Sequence, residues 1–350
     1  MSEKLAVFMP NWVGDAAMAT PTVRALSQRT GGGSMVAVMQ PVVAQLLRGS
    51  PWFSDEILFS KRGWSQRLRL AMRLRAARLD SILLLTNSLW TALVAKLAGI
   101  PRRIGYARDG RGRLLTESLP VLRRGGRNVA VPAIDYYLQL AELLGCDTAN
   151  RRMQLPLEQD DVSRADRLWQ QIGFSPDRPT VVINSSGAWG AAKLWPVDHV
   201  EQLARRIAEN HPWQVLLHCG PSERAAANAV AGRIDHPQVC SMGRASELPI
   251  GLTKAVLARA SVVVSTDSGP RHIAVALDRP VISLFGPTDP AWTTTYNVRE
   301  TQLGVNLPCR GCWKKACPLE HHRCMRDLGV ETVYGGVVQA VHQRRIPRAA

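Results

Sequence analysis

The sequence predicts an α/β protein made of two doubly wound parallel sheets. Three observations predict it. Uninterrupted apolar runs of strand length, such as Ile82 to Leu85 and Val262 to Val264, alternate with stretches of helical period, the pattern of parallel strands covered on both faces. The alternation breaks off and restarts after about Arg151. The chain is 350 residues long, and at roughly 150 residues per domain that suggests two domains, each with room for a sizeable core.

Lys4 to Met9 reads as a strand and Asp15 to Gln28 as a helix. Met35 to Met39 is a second strand, with a helix running through Leu47. Ser65 to Leu79 is a helix with Arg67, Arg69, Arg73, Arg75 and Arg78 among its apolar residues, Ser81 to Leu85 a strand, and Leu89 to Leu97 a helix. After the restart, Gln159 to Ile172 is helical and Ser175-Pro176-Asp177-Arg178-Pro179 is a breaker cluster. Strands follow at Thr180 to Ile183, Gln214 to Leu217, Ser261 to Ser265 and Pro280 to Phe285. Helices follow at Val197 to Ala208, Arg224 to Ala231, Leu248 to Arg259, Arg271 to Leu277 and Glu331 to His342. No repeat of solenoid period is present. Sheets of this kind bind ligands at the carboxyl ends of their strands, so the strand-to-helix loops are the places to look for chemistry.

Composition narrows the function. A hydrophobic content of 46% excludes a disordered chain, and no apolar run reaches the ~18 residues of a membrane span. The first residues carry Glu3 where a signal peptide is basic, so a reducing cytoplasm is expected. Seven cysteines, an odd count, argue against a secreted disulfide framework. The net charge is +16, and between Lys61 and Arg127 there are 16 basic residues against Asp80, Asp109 and Glu117. A charge this concentrated points to an anionic partner, with nucleic acid, anionic lipid and phosphorylated sugar all open.

Four loops carry the candidate chemistry. In Pro10-Asn11-Trp12-Val13-Gly14-Asp15, Gly14 allows close backbone approach. Asp15 opens the helix, either as an N-cap or as a general base that takes a proton from a hydroxyl. Trp12 either stacks on a sugar face or joins the core. The loop from Asn184 to Pro196 offers Ser185, Ser186, two glycines and Lys193 ahead of a helix, the groups a diphosphate needs, without the spacing of a P-loop. The loop Thr266-Asp267-Ser268-Gly269-Pro270-Arg271-His272 sets a carboxylate and an imidazole at a helix start, where Pro270 suits the first turn. Phe285-Gly286-Pro287-Thr288-Asp289-Pro290 closes the next strand. Beyond it, Cys309, Cys312, Cys317 and Cys324 suit a structural tetrahedral zinc, with free thiols or a redox pair as the alternatives.

Together these loops resemble the bacterial lipopolysaccharide heptosyltransferases, glycosyltransferase family 9, over nearly the whole chain. The resemblance rests on Asn11-Trp12-Val13-Gly14-Asp15, on Gly187 through Lys193 to Trp195-Pro196, on Thr266-Asp267-Ser268-Gly269 with His272, and on Gly286-Pro287-Thr288-Asp289-Pro290. The Trp-Val-Gly-Asp start is most like the members that add the second core heptose. The resemblance implies a GT-B architecture, two Rossmann-like domains facing across a cleft. Residues 1–160 would take the acceptor, residues 175–328 the nucleotide-sugar, and helix 329–350 would pack back on the first domain.

It further implies that Asp15 is the base that deprotonates an acceptor heptose, with Asn11, Trp12 and Gly14 beside the acceptor. Ser185, Ser186, Lys193, Glu223, Asp267, Ser268, Gly269 and His272 would hold the ADP-heptose donor, and transfer would proceed with inversion and no catalytic metal or other cofactor. The implied partners are ADP-heptose and a phosphorylated lipid A–core, with no nucleic acid. The basic N-terminal half would dock peripherally on the cytoplasmic face of the inner membrane. Two departures stand out: Pro270-Arg271 replaces the family's common residues there, suggesting an added phosphate contact from Arg271, and the four-cysteine segment is absent from the best-known enterobacterial members. The competing readings are a family 9 enzyme with another sugar or acceptor, a nucleic-acid-binding protein using the arginines and a zinc-bound cysteine cluster, and a sugar-nucleotide epimerase.

Overall fold

The structure, a computed structural model, describes residues 3–31, 34–60, 63–185 and 189–344. It divides into two compact units: Met1–Pro156 with Ala291–Tyr296, and Leu157–Pro290 with Asn297–Ala350.

The first unit runs β1 (Leu5–Phe8), α1 (Val13–Met18), α2 (Thr20–Arg29), β2 (Met35–Met39), α3 (Pro41–Leu47), β3 (Asp55–Leu58), α4 (Trp64–Ala76), β4 (Ser81–Leu84), α5 (Leu89–Leu97), β5 (Arg102–Tyr106), β6 (Glu117–Leu119), the short pair β7 (Arg123–Arg124) and β8 (Arg127–Asn128), and α6 (Ala133–Leu143). Its main sheet is parallel throughout, in the order β3-β2-β1-β4-β5-β6. That is the Rossmann order, with its switch point between β1 and β4. The single helix expected over residues 15–28 is two. Pro21, in the first turn of α2, has no N–H to continue the ladder, and the Thr20 hydroxyl takes the Ala17 carbonyl instead, at 2.7 Å.

The second unit repeats the plan: α7 (Gln159–Ile172), β9 (Thr180–Asn184), α8 (Val197–Asn210), β10 (Gln214–Leu217), α9 (Arg224–Ile234), β11 (Val239–Ser241), α10 (Ile250–Arg259), β12 (Val262–Thr266), α11 (Gly269–Ala276), β13 (Val281–Phe285), β14 (Glu300–Gly304), α12 (Arg323–Arg326) and α13 (Val330–Arg344). Its sheet, β11-β10-β9-β12-β13-β14, has the same order and puts a switch point between β9 and β12. The interval between the expected domains, 160–175, is mostly helix α7 and belongs to this unit.

The last helix, α13, presents Val333, Val337 and Val341 to the core of the second unit, beside Ile282 and Leu284 of β13. Gly336 lets it approach β13 so closely that a Cβ there would lie 3.3 Å from Ile282. A buried, valine-rich face fixes a helix where that face is covered, and here the unit's own sheet covers it.

Candidate functional site

In the first unit, β1 ends at Phe8 and the chain turns over Asn11 and Trp12 into α1. Trp12 occupies the cap position without a capping side-chain bond, and Asp15 lies one turn further in. Asp15 is therefore not the N-cap. Its carboxylate instead lies near the hydroxyl of Tyr137 on α6 and interacts with it electrostatically. Tyr137 is buried, and burial together with the Asp15 charge holds its phenol well above the ordinary value, so it stays a proton donor. Trp12 is 58% exposed, which removes the core reading. Asn11 takes a hydrogen bond from Gln40, and Gly14 is half-buried within α1.

In the second unit, the two loops expected to bind an anion leave adjacent parallel strands at the switch point, β9 and β12, where Asn184 is in register with Ser265. Lys193, in a turn of 3-10 helix after β9, reaches across to the loop after β12. Its ammonium donates to the Asp267 carbonyl at 2.6 Å and lies 3.3 Å from the Asp267 carboxylate. The same ammonium lies 4.9 Å from the centre of the Trp189 ring. Ser185 donates to the Trp195 carbonyl at 2.7 Å, which bends this loop back on itself. Ser186 and Gly187 lie outside the described residues.

Asp267 is the centre of the arrangement. Arg271 Nη1 lies 2.9 Å and His272 Nε2 3.6 Å from its Oδ1. Burial would push the Asp267 carboxyl up, but the His272 bond and the Arg271 and Lys193 charges outweigh it and hold the group well below the usual carboxylate range. Burial pushes the His272 imidazole down, so it is neutral, and its Nδ1 is buried with no hydrogen-bond partner among the described residues. Ser268 precedes α11, whose first turn holds Gly269 and Pro270; Pro270 has no N–H and the Arg271 N–H donates to the Ser268 carbonyl at 3.1 Å, which leaves the Gly269 N–H at the head of the helix.

Arg271 corrects an expectation. It is fully buried, and its guanidinium is taken up by Asp267, by Glu300 at 2.7 Å and by Ser283 at 3.0 Å. A buried arginine matched by two buried carboxylates is part of the scaffold and is not presented to a phosphate. Glu223 stands in the loop after β10, where its carboxylate accepts from the Gly220 N–H at 2.9 Å.

Sequence reasoning missed four residues, Tyr137 in the first unit and three in the second. Asn184 donates from its amide to Ser265 and Ser268, at 2.9 Å each, and accepts from His218 at 3.0 Å. It thereby sets the Ser268 hydroxyl. Glu300, Tyr137 and Trp189 complete the set. Asn184, Glu300 and Tyr137 have no local signature, because each acts through a residue far away in sequence, whereas Trp189 stands in the same loop as Lys193, four residues before it.

The zinc expectation is not supported. Among the described residues no group of three or more His, Cys, Asp or Glu is placed to hold a metal ion. Cys324 is turned into the core under Gly286, and burial, with the nearby Cys309, Cys317 and Cys312, pushes its thiol up to about 11. Cys309 meets His321 at 3.9 Å, and all seven cysteines are free.

Two parallel sheets of Rossmann order, repeated along one chain, define the GT-B class of two-domain α/β proteins. The profile of glycosyltransferase family 9 (heptosyltransferase) matches residues 67–323. The chain belongs to that family and is a glycosyltransferase. It is 29% identical over 300 residues to lipopolysaccharide heptosyltransferase 2 of Salmonella typhimurium, covering 83% of this chain and 84% of that one. It is 35% identical over 163 residues to lipopolysaccharide heptosyltransferase 1 of Pseudomonas aeruginosa, covering 45% and 44%. The solved structure of the E. coli ADP-heptose lipopolysaccharide heptosyltransferase II superposes with a TM-score of 0.79 at 24% identity, over 98% of this chain and 100% of that one.

Proposed function

We propose that this glycosyltransferase moves a heptosyl group from ADP-L-glycero-D-manno-heptose to the inner core of lipopolysaccharide, with inversion at the anomeric carbon and without a catalytic metal. The observation that carries the reading is the meeting of Lys193 with Asp267 at the switch point of the second sheet. That pairing unites two loops whose residues suit a nucleotide diphosphate. Relatives along most of the chain bear the name heptosyltransferase 2, which favours addition of the second core heptose.

In this reading the second unit binds the donor. Lys193, only 11% exposed on its side chain, exchanges part of its contact with Asp267 for the β-phosphate and stabilises the charge that builds on departing ADP. Ser185, Ser186, Ser268 and the Gly269 N–H at the start of α11 hold the remaining phosphate oxygens. His272, neutral, offers its unpartnered Nδ1 to the donor, and Glu223 takes the ribose. The first unit prepares the acceptor. Asp15 removes the proton of the attacking hydroxyl, Tyr137 fixes its carboxylate, and Asn11, Trp12 and Gly14 line the acceptor sugar. The hydroxyl oxygen bonds to the anomeric carbon as the bond to the β-phosphate oxygen breaks, through an oxocarbenium-like transition state.

The acceptor is the phosphorylated lipid A–core of the cytoplasmic leaflet, and the enzyme works as a peripheral protein on that surface. No helix among the described residues is long and apolar enough to cross a membrane. Helix α4 supports surface docking. Leu70, Ala71 and Leu74 are buried, while Trp64, Leu68 and Met72 stand exposed at successive turns, with Arg69, Arg73 and Arg75 exposed on the same helix. An exposed apolar stripe among arginines fits an anionic bilayer interface.

The base assignment is tested by Asp15→Ala. The variant is expected to bind ADP-heptose normally in calorimetry while its turnover falls by roughly 10²–10⁴-fold, the usual effect of losing a general base. Near wild-type turnover would remove Asp15 from that role.

A further inference from the structure

The cysteine segment has a structural partner, the loop that carries Lys193. The carbonyl of Lys315 accepts from the Ala192 N–H at 2.9 Å. The two backbones are so close there that a Cβ added to Gly190 would lie 2.6 Å from the Lys315 oxygen. His322 donates from Nε2 to the Ala192 carbonyl at 2.8 Å. The ring of Trp313 meets that of Trp189 edge to face, centroids 6.4 Å apart, and Trp189 is the ring beside the Lys193 ammonium. Just after the segment, the Leu328 carbonyl takes the Trp195 indole N–H at 2.9 Å, holding the far end of the same loop.

The segment is itself anchored on its opposite side. Gly311 and Trp313 donate backbone N–H groups to the carbonyls of Gly286 and Pro287, at 3.2 and 2.8 Å. Met325 and Cys324 pack onto Gly286 with no room for a side chain there. Trp313, Glu320 and His322 hold left-handed backbone conformations, φ 55°, 56° and 50°. Non-glycine residues keep such conformations where the surroundings over-determine them, a pattern typical of ligand clamps.

We propose that segment 309–324 is a clamp on the donor loop, and that Trp313 and His322 are positioning residues for Lys193. Trp313 fixes the plane of Trp189, and Trp189 and Asp267 then fix the ammonium between them. His322 and Lys315 pin the backbone turn from which the lysine side chain leaves. The clamp serves the diphosphate of the donor, so the inference rests on the assignment of Lys193 to that group.

The test is calorimetric binding of ADP to the intact protein, with thermal unfolding as a control for folding. Trp313→Ala is expected to weaken ADP binding by about 5- to 10-fold with an unchanged unfolding midpoint, since an ordered cation–π contact amounts to that factor. Trp313→Phe restores most of the affinity. Lys193→Ala weakens binding further, and Trp313→Ala added to it has no additional effect, because its action runs through the lysine. Full additivity of the two substitutions overturns the clamp while leaving the donor assignment standing. So does wild-type binding by Trp313→Ala. Unchanged binding by Lys193→Ala, or no binding of ADP by the wild type, overturns the donor assignment and the clamp together. Gly190→Ala gives a second route, with weakened ADP binding expected and undiminished binding counting against the clamp.

Discussion

Around Asp267, side chains from separate stretches of chain neutralise one another in a space with almost no water. Lys193 and Arg271 balance Asp267 and Glu300, and His272 stays neutral beside them. Such a cluster keeps its geometry only while every partner is present, since an unmatched buried charge is costly. Beneath it, His218 makes a pH-dependent prediction. It is wholly buried, donates from Nδ1 to Asn184, and lies 3.2 Å from the Thr253 hydroxyl, a set of bonds that suits the neutral ring. Burial pushes its pKa from 6.5 down to about 4. Between those values the unfolded chain binds the proton and the folded one does not, so stability rises with pH through this window and falls as pH drops from 6.5 towards 4. His218→Gln should flatten the dependence of the unfolding midpoint on pH in that range, with the remaining slope carried by His272 and His211, whose imidazoles burial also pushes down. An unaltered slope would show that His218 is already charged in the fold.

At the scale of elements, legibility followed burial. Strands covered on both faces, β1, β2, β4, β9, β10, β12 and β13, are apolar runs, and the sequence marks them plainly. The unread strands are mostly sheet edges. β3 and β6 carry Asp55, Glu56 and Glu117, charges that protect an edge and erase its apolar signature, and β14 carries Glu300, which is buried against Arg271. Helix α6 was also unread, although it supplies Tyr137, because its pattern follows a long irregular stretch. Helix α4 was legible as basic, but its exposed apolar stripe needed the fold, which decides which of two apolar faces is covered. A prediction belongs to it. Sedimentation with vesicles rich in anionic lipid should pull down the wild type. Trp64→Ser with Arg69→Gln and Arg73→Gln should reduce binding by at least tenfold, at about 1 kcal/mol per basic residue near the surface. Binding unchanged in the triple variant would move the docking surface elsewhere.

Across the whole molecule, the concentrated charge reads differently once folded. Arg111 is fully buried, pushed down to about 10 by burial, and bonded to the carbonyls of Tyr106 and Thr86. Arg102 is paired with Glu117 and Glu3, and Arg103 with the carbonyls of Leu114 and Ile100. Part of the positive charge therefore builds the first unit, and the remainder, led by α4, forms its surface. The four site loops were legible because each follows an apolar strand, whereas partners that orient them lie 29 to 130 residues away, as Arg271–Glu300 and His322–Ala192 illustrate. Heptosyl transfer from an ADP-linked donor is the activity proposed for this chain. It is tested most directly by measuring ADP release from ADP-heptose, with and without a heptosylated lipid A–core acceptor, together with the mass of the acceptor. ADP release is expected to depend on the acceptor and to be matched by one added heptosyl group. Acceptor mass unchanged with ADP-heptose, but increased with a UDP- or GDP-linked sugar, would contradict it.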